Sequence, residues 1–314
     1  MWATSNRQNR GTVTGFVVVK GRFGMGGRIA VALSALRYAE QTGRELIVDW
    51  NDYAYFSPGA DDVFRSLFDA PTTSAVALEQ VQGCSVFPKM WDGKLLEYRN
   101  STDAEIMPYE LSFCTPPALD DAEADEADVV VVTRNSPIND LRAEYRRLRP
   151  AAPTRGRIEA FDEATDVGDR VGVHVRHGNG EYLVVPAETA WFQERLAALD
   201  TGSSPRLMVA TDSRVVVEEF NRLFADVAHT PKWYPTPGTG SMHQNSQCPD
   251  RFENAVEAIV DMWVLARCRH LLLCRGFFGE TVRNLVRDHK TPVEIYPGKI
   301  HPTVTDKVGW DNPI

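Results

Sequence analysis

Two kinds of apolar pattern alternate along this chain: short runs without polar interruption, and longer stretches in which apolar residues return every three or four positions. "GFVVVK" at 15–20 is of the first kind, as expected of a strand covered on both faces. "RIAVALSALRYAEQTG" at 28–43 is of the second: Ile29, Ala32, Leu33, Leu36 and Ala39 share one helical face, and Gly43 supplies a stop. "ELIVDW" at 45–50 gives another strand. Strand, glycine loop, helix and strand in that order form a βαβ unit, which predicts a parallel sheet early in the chain.

From residue 170 the alternation becomes regular. "RVGVHV", "RLMVATDS", "HLLLC" and "PVEIY" read as strands, and "AETAWFQERLAAL", "SRVVVEEFNRLFADV", "RFENAVEAIVDMWVLARC" and "GETVRNLVRDH" as the helices between them. This is the rhythm of a doubly wound sheet. Residues 51–168 carry a weaker pattern: "ALDDAEADEAD" reads as a solvated acidic connector before the strand "VVVVT", and "NDLRAEYRRLR" as a basic amphipathic helix. "PAAPTRG" at 150–156 has the Pro and Gly content of a linker, so the expected organisation is two α/β domains, 1–152 and 153–314. Within the second, one loop stands out. "AHTPKWYPTPGTGSMHQNSQCPD" at 228–250 exceeds the usual length of a structureless connection, which makes it a candidate for function as well as for a plain excursion.

Composition narrows the classes. Of 314 residues, 43% are hydrophobic and 25% charged, a soluble globular balance, and the formal net charge of -9 argues against a nucleic-acid binder. Any anion site must therefore be local. The five cysteines are scattered without CxxC pairs, which points to a reducing cytoplasm and against a zinc or redox centre. Near the start of the chain the apolar run Phe16 to Val19 is far too short for an export signal or a membrane span. The chain also lacks HExxH, a Cys/His cluster, a G-x-S-x-G elbow and an Asp-x-Asp pair, so no metal or cofactor is expected.

The candidate chemistry gathers where strands end. "GVHVRHGNGE" places His174, Arg176, His177, Gly178, Asn179, Gly180 and Glu181 beyond a strand. A guanidinium fork suits phosphate oxygens, and glycines let backbone N–H groups approach an anion, so this loop is a candidate diphosphate seat; an Arg paired with a carboxylate of a neighbouring strand is the plain structural reading. Thr211, Asp212 and Ser213 fall at a helix start, either as caps or as nucleotide contacts. In "LLLCRGFFGETVR" the helix start near Phe278 and Gly279 offers its positive dipole end to a phosphate, with Phe277 and Phe278 as base-stacking or core aromatics. Glu257 and Asp261, four apart, share a helix face, and an acid there can accept hydrogen bonds from the N1–H and N2–H of guanine that adenine does not offer. "GRFGMGGR", with Arg22, Phe23, Gly24 and Gly26, has neither the P-loop lysine nor the last glycine of a dinucleotide fingerprint, but can present backbone to a ligand held between domains.

Taken together, "GRFGMGGRIAVALSALRYAEQTGRELIVDW", "GVHVRHGNGE", "LMVATDS" and "AIVDMWVLARCRHLLLCRGFFGETVR" resemble the bacterial nodulation fucosyltransferases, relatives of the α1,6- and protein O-fucosyltransferases. The resemblance implies a GT-B fold: two Rossmann-like domains facing across a cleft, the first on the acceptor side and the second holding GDP-fucose, with no metal. It also implies roles. Arg176 holds the diphosphate, His174 lies near the guanine and Asp261 reads the guanine edge. Met25 and Gly26 stand where relatives commonly carry Asn, and "CRGFFGE" has Phe and Gly where they carry Ser or Thr. The expected activity is an inverting, metal-independent transfer of a sugar from a GDP-sugar to a hydroxyl of a glycan or small molecule, with Glu181 as the candidate base. Another nucleotide-sugar donor, or a binding homologue without catalysis, is the alternative.

Overall fold

The computed structural model describes residues 15–21, 24–51, 54–55, 62–69, 73–96, 114–134, 140–181, 184–199 and 204–298. Among these, two parallel sheets organise the chain. The first is built from β1 (Phe16–Lys20), β2 (Glu45–Asp49), β4 (Val86–Phe87) and β5 (Val129–Val132) in the order β2-β1-β5-β4, and a short antiparallel pair links β3 (Phe68–Asp69) to β6 (Arg149–Pro150). The second contains β7 (Val171–Val175), β8 (Leu207–Thr211), β9 (Val227–Ala228), β10 (His270–Leu273) and β11 (Val293–Ile295) in the order β11-β10-β7-β8-β9. Helices α1 (Met25–Thr42), α2 (Val63–Leu67), α3 (Ala122–Glu126), α4 (Arg142–Arg147), α5 (Ala152–Thr165), α6 (Thr189–Ala198), α7 (Arg214–Leu223), α8 (Arg251–Leu265) and α9 (Phe277–Leu285) cover or join them. No helix among the described residues is long and apolar enough to cross a membrane.

The uninterrupted apolar runs have a direct physical cause, because both faces of each central strand are covered. In β1, Val17 and Val19 pack on one side and Val18 on the other, and β5 divides its four valines in the same way. In β7 the odd positions Val171, Val173 and Val175 join an outer cluster with Phe192 and Phe220, which turns Gly172 and His174 to the opposite face. At the carboxyl edge of the first sheet, the buried Lys20 Nζ closes the β1–β2 pair by binding Asp49 at 2.5 Å and the Leu95 carbonyl at 2.7 Å.

"PAAPTRG" runs into a helix: Pro153 sits in the first turn of α5, where its missing N–H has no intrahelical partner to lose, so the helix starts through it. One local expectation is corrected. In "GRFGMGGR" the helix begins earlier than the apolar periodicity suggests, with Gly24 as N-cap and Gly26 already in the first turn of α1.

One apolar cluster spans both sheets, running from Val17 and Val19 through α1, Trp50, Phe64 and Phe68 to Met208, Ile259 and Leu271. Accordingly α1 is buried at every position from Met25 to Leu36. At its head it meets the start of α9 so closely that a Cβ on Gly26 would lie 2.6 Å from the Phe277 carbonyl carbon and oxygen. Farther along the seam, the Thr281 hydroxyl bonds Tyr145 Oη at 3.2 Å, and Phe68 packs on Trp263 with ring centroids 6.0 Å apart.

Gly26→Val should therefore push α1 away from α9 and cost about 1–3 kcal/mol, the usual range for overpacking. Gly156→Ala, at an exposed position in α5 where a Cβ meets nothing within 4 Å, should instead stabilise by roughly 0.5–1 kcal/mol. Urea unfolding midpoints read both, and an unchanged midpoint for Gly26→Val would mean that the seam yields.

Candidate functional site

Sheet register brings the site together. β7 and β8 run parallel with His174 opposite Ala210 and Val175 opposite Thr211, so the next residues, Arg176 and Asp212, leave the carboxyl edge side by side. One Asp212 oxygen accepts the His177 N–H at 2.8 Å, and the other accepts the Gly178 N–H at 2.9 Å together with one arm of the Arg176 guanidinium. The other arm holds Glu181. Asp212 is thus gripped by three donors and its side chain is 10% exposed, whereas Glu181 has the guanidinium as its side-chain partner and is 27% exposed. The two carboxyls titrate differently as a result. Burial acts to raise Asp212, but the Arg176 charge and the two amides outweigh it and hold the group below its ordinary range. For Glu181 burial wins over the attraction of Arg176 and pushes the carboxyl up.

The glycines need no anion to explain them. Gly178 and Gly180 take φ of 76° and 83°, in the left-handed region, and a Cβ on Gly180 would lie 2.8 Å from the Gly238 Cα. Asn179, between them, donates from Nδ2 to the carbonyls of Thr236 at 2.9 Å and Gly240 at 3.2 Å, while its own carbonyl accepts the Gly240 N–H at 2.9 Å. The long 228–250 loop therefore clamps the 176–181 loop. The expectation of open amides awaiting phosphate is corrected for two residues, since the His177 and Gly178 N–H groups are already engaged by Asp212. The His177 ring stays within its own loop, with Nδ1 accepting the Asn179 N–H at 3.3 Å.

Beside this loop, the buried His174 ring stacks on Phe278 with centroids 4.4 Å apart, and burial lowers its pKa to about 3, so it is neutral. Phe278 is therefore engaged by an imidazole and by the core; Gly279 stands in the first turn of α9 against the Cys274 carbonyl. The Thr211 hydroxyl accepts the Ser213 N–H at 3.2 Å, a local turn contact, and Ser213, the N-cap of α7, makes no side-chain cap. On α8, Asp261 is occupied by the Thr230 hydroxyl and the Lys232 ammonium, while Glu257 accepts the Trp233 N–H at 3.1 Å. Arg22 and Phe23 lie outside the described residues. Gly24 faces His243, and Gly26 serves the helix seam rather than a ligand.

Three neighbours escaped sequence reasoning. Arg28, 2% exposed, places its guanidinium 4.8 Å from the Tyr55 ring centroid and 5.9 Å from that of Trp50. His243 is held at a pKa of about 3 by burial first and then by the Arg176 and Arg28 charges, so its imidazole is neutral. Lys232 sits deep in the 228–250 loop, whose length was the one signal available for it and for His243. Among the described residues no group of three or more His, Cys, Asp or Glu is disposed to hold a metal ion.

Comparisons with known proteins bear on the family and the fold. The family described as Nodulation protein Z (NodZ) matches residues 14–276. Nodulation protein Z of Bradyrhizobium diazoefficiens is 28% identical over 285 residues, covering 81% of this chain and 74% of the relative, and that of Sinorhizobium fredii is 27% identical over 281 residues, covering 81% and 84%. Among solved structures, NodZ α-1,6-fucosyltransferase co-crystallised with GDP superposes with a TM-score of 0.62 at 24% identity, over 87% of this chain and 93% of the other. POFUT1 in complex with GDP gives 0.54 at 13% identity, over 92% and 100%. The two-sheet architecture is the GT-B fold of these proteins.

The depressed Asp212 carboxyl makes a pH prediction. A group whose folded pKa lies below its unfolded value of about 3.9 contributes stability that is present above that value and lost as pH falls through the folded pKa. Asp212→Asn should remove that part of the acid limb and also lower stability near neutral pH by about 1–3 kcal/mol, since the Arg176 charge keeps Glu181 on its other arm. Thermal melts from neutral pH down to about pH 2.5 on both proteins test this, and parallel acid limbs would refute it.

Proposed function

The chain belongs to the nodulation protein Z family, and from that premise we propose that it transfers L-fucose from GDP-fucose to a hydroxyl of a glycan or small-molecule acceptor. The support is the family match together with solved relatives described as co-crystallised with GDP and soaked with GDP-fucose. Residues 1–152 form the acceptor side and 153–314 the donor side. We assign the enzyme to the cytoplasm, in keeping with five cysteines of which none is paired with another.

The observation that carries the reading is Arg176, anchored at a strand end by Asp212 and holding Glu181 on its other arm. A diphosphate arriving there displaces the weaker partner. Glu181 has one side-chain contact to give up, while Asp212 keeps its two amides and continues to orient the guanidinium. The Arg176 Nε–H and the second hydrogen on each terminal nitrogen remain for phosphate oxygens, and the start of α9 adds its positive dipole end. The acceptor oxygen attacks the anomeric carbon opposite the diphosphate, the carbon–oxygen bond to GDP breaks with its electron pair leaving on GDP, and configuration inverts. Released from Arg176, Glu181 takes the acceptor proton; the burial that raises its pKa makes it the stronger base. Negative charge grows on the leaving GDP, where fixed donors help most, and the scheme uses no divalent cation.

Calorimetric titration should show GDP bound in preference to UDP and ADP, and Arg176→Ala should weaken GDP by about 1.5–3 kcal/mol. Glu181→Gln should behave oppositely in binding, holding GDP at least as tightly because a competitor for Arg176 is gone, while kcat falls about 10²–10⁴-fold. Equal loss of GDP affinity in both variants would remove Glu181 from the role of base.

A further inference from the structure

The 228–250 loop carries an imidazole whose ring nitrogens hold nothing. His177, His229 and His270 each bind a neighbour through a ring nitrogen, whereas His243 has no hydrogen-bond partner among the described residues. Its ring is enclosed enough for burial to lower its pKa to about 3, yet the residue keeps part of its surface accessible. A neutral imidazole in that state offers one donor and one acceptor.

Its position is fixed from both sheets. Gly238 lies against Gly180, and Gly240 exchanges hydrogen bonds with Asn179, so this stretch of the loop is fastened to the Arg176 loop at the carboxyl end of β7. Asn245 closes the stretch on itself, donating from Nδ2 to the Thr239 carbonyl at 3.1 Å and to its hydroxyl at 3.0 Å. Just beyond Gly240 the His243 ring reaches the first sheet's side: a Cβ on Gly24 would lie 3.6 Å from Nδ1 and 3.7 Å from Cε1. Gly24 is the N-cap of α1 and follows the carboxyl end of β1. The charges of Arg176 and Arg28 both act on the imidazole. His243 thus bridges the carboxyl ends of the two sheets, within electrostatic reach of the arginine assigned to the diphosphate.

A sugar esterified to that diphosphate comes next along the donor, between Arg176 and the acceptor side. Its hydroxyls both donate and accept, as a neutral imidazole does. An imidazole that stays uncharged is a weak base and brings no cation to phosphate, so the acceptor proton remains with Glu181 and the diphosphate with Arg176. Resting on the GDP-fucose reading above, we propose that His243 is a specificity-determining residue for the donor sugar: its imidazole hydrogen-bonds one hydroxyl of the fucosyl ring.

The test is calorimetric titration of the full chain with GDP, GDP-fucose and a set of GDP-fucose analogues, each lacking the hydroxyl at C2, C3 or C4. In the wild type one analogue should bind about 3–10-fold more weakly than GDP-fucose, the worth of a single hydrogen bond between neutral groups. His243→Phe keeps ring volume against Gly24 and loses both nitrogens. It should bind GDP as the wild type does, bind GDP-fucose about 3–10-fold more weakly, and no longer distinguish that analogue. His243→Gln, which restores a donor and an acceptor, should bind GDP-fucose with an affinity between the two. Equal wild-type affinity for GDP-fucose and every analogue overturns the assignment without any variant having to fold. So does a loss of GDP and GDP-fucose by the same factor in His243→Phe, which would make the ring a phosphate contact or a prop for the loop. A wild type that binds neither GDP nor GDP-fucose overturns the donor reading and this inference together, whereas GDP-fucose affinity unaltered in His243→Phe overturns the inference alone.

Discussion

The site depends on one carboxylate. Asp212 binds two backbone amides and a guanidinium at once, so it fixes the shape of the 176–181 loop and the direction of Arg176 before any ligand arrives. A free arginine at a strand end would sample many rotamers and would have to be ordered on binding. Here that ordering is part of folding. The arrangement also gives the loop an internal anion, which neutralises the cation and ranks its two partners: Asp212 is more deeply buried and triply held, Glu181 half-buried and singly held.

Much of the fold was legible because it follows from covering both faces of parallel strands. The apolar runs at Phe16–Lys20 and Val171–Val175, the helix between Ile29 and Ala39, and the position of Arg176 beyond a strand all follow from period and punctuation. Other features were hidden because they are relations between distant segments. Nothing in "GNG" tells a reader that its glycines face Gly238 across the chain, or that Asp212 occupies amides that looked open to phosphate. Lys232 and Asp261 are 29 residues apart, and nothing in either segment announces the buried ion pair they form. In "PAAPTRG" composition does not show that a helix starts at Ala152, since a proline in the first turn of a helix reads like a proline between elements.

The departures from the family pattern find a physical setting here. Gly26 stands at the closest approach of α1 to α9, where any side chain would meet the Phe277 carbonyl. Phe278 fills its position by stacking on His174, an aromatic contact in place of a hydroxyl. Both positions are filled by packing: Gly26 by the close approach of α9 and Phe278 by the His174 ring.

The continuous core has a consequence for how this architecture can be altered. Since α1 is buried at every position from Met25 to Leu36 and contributes to a cluster shared by both sheets, the two halves are not interchangeable modules. A chimera that grafts the first sheet and its helices from one relative onto the second sheet of another must match the helix surfaces that meet in this core, and drift in either half must be compensated in the other.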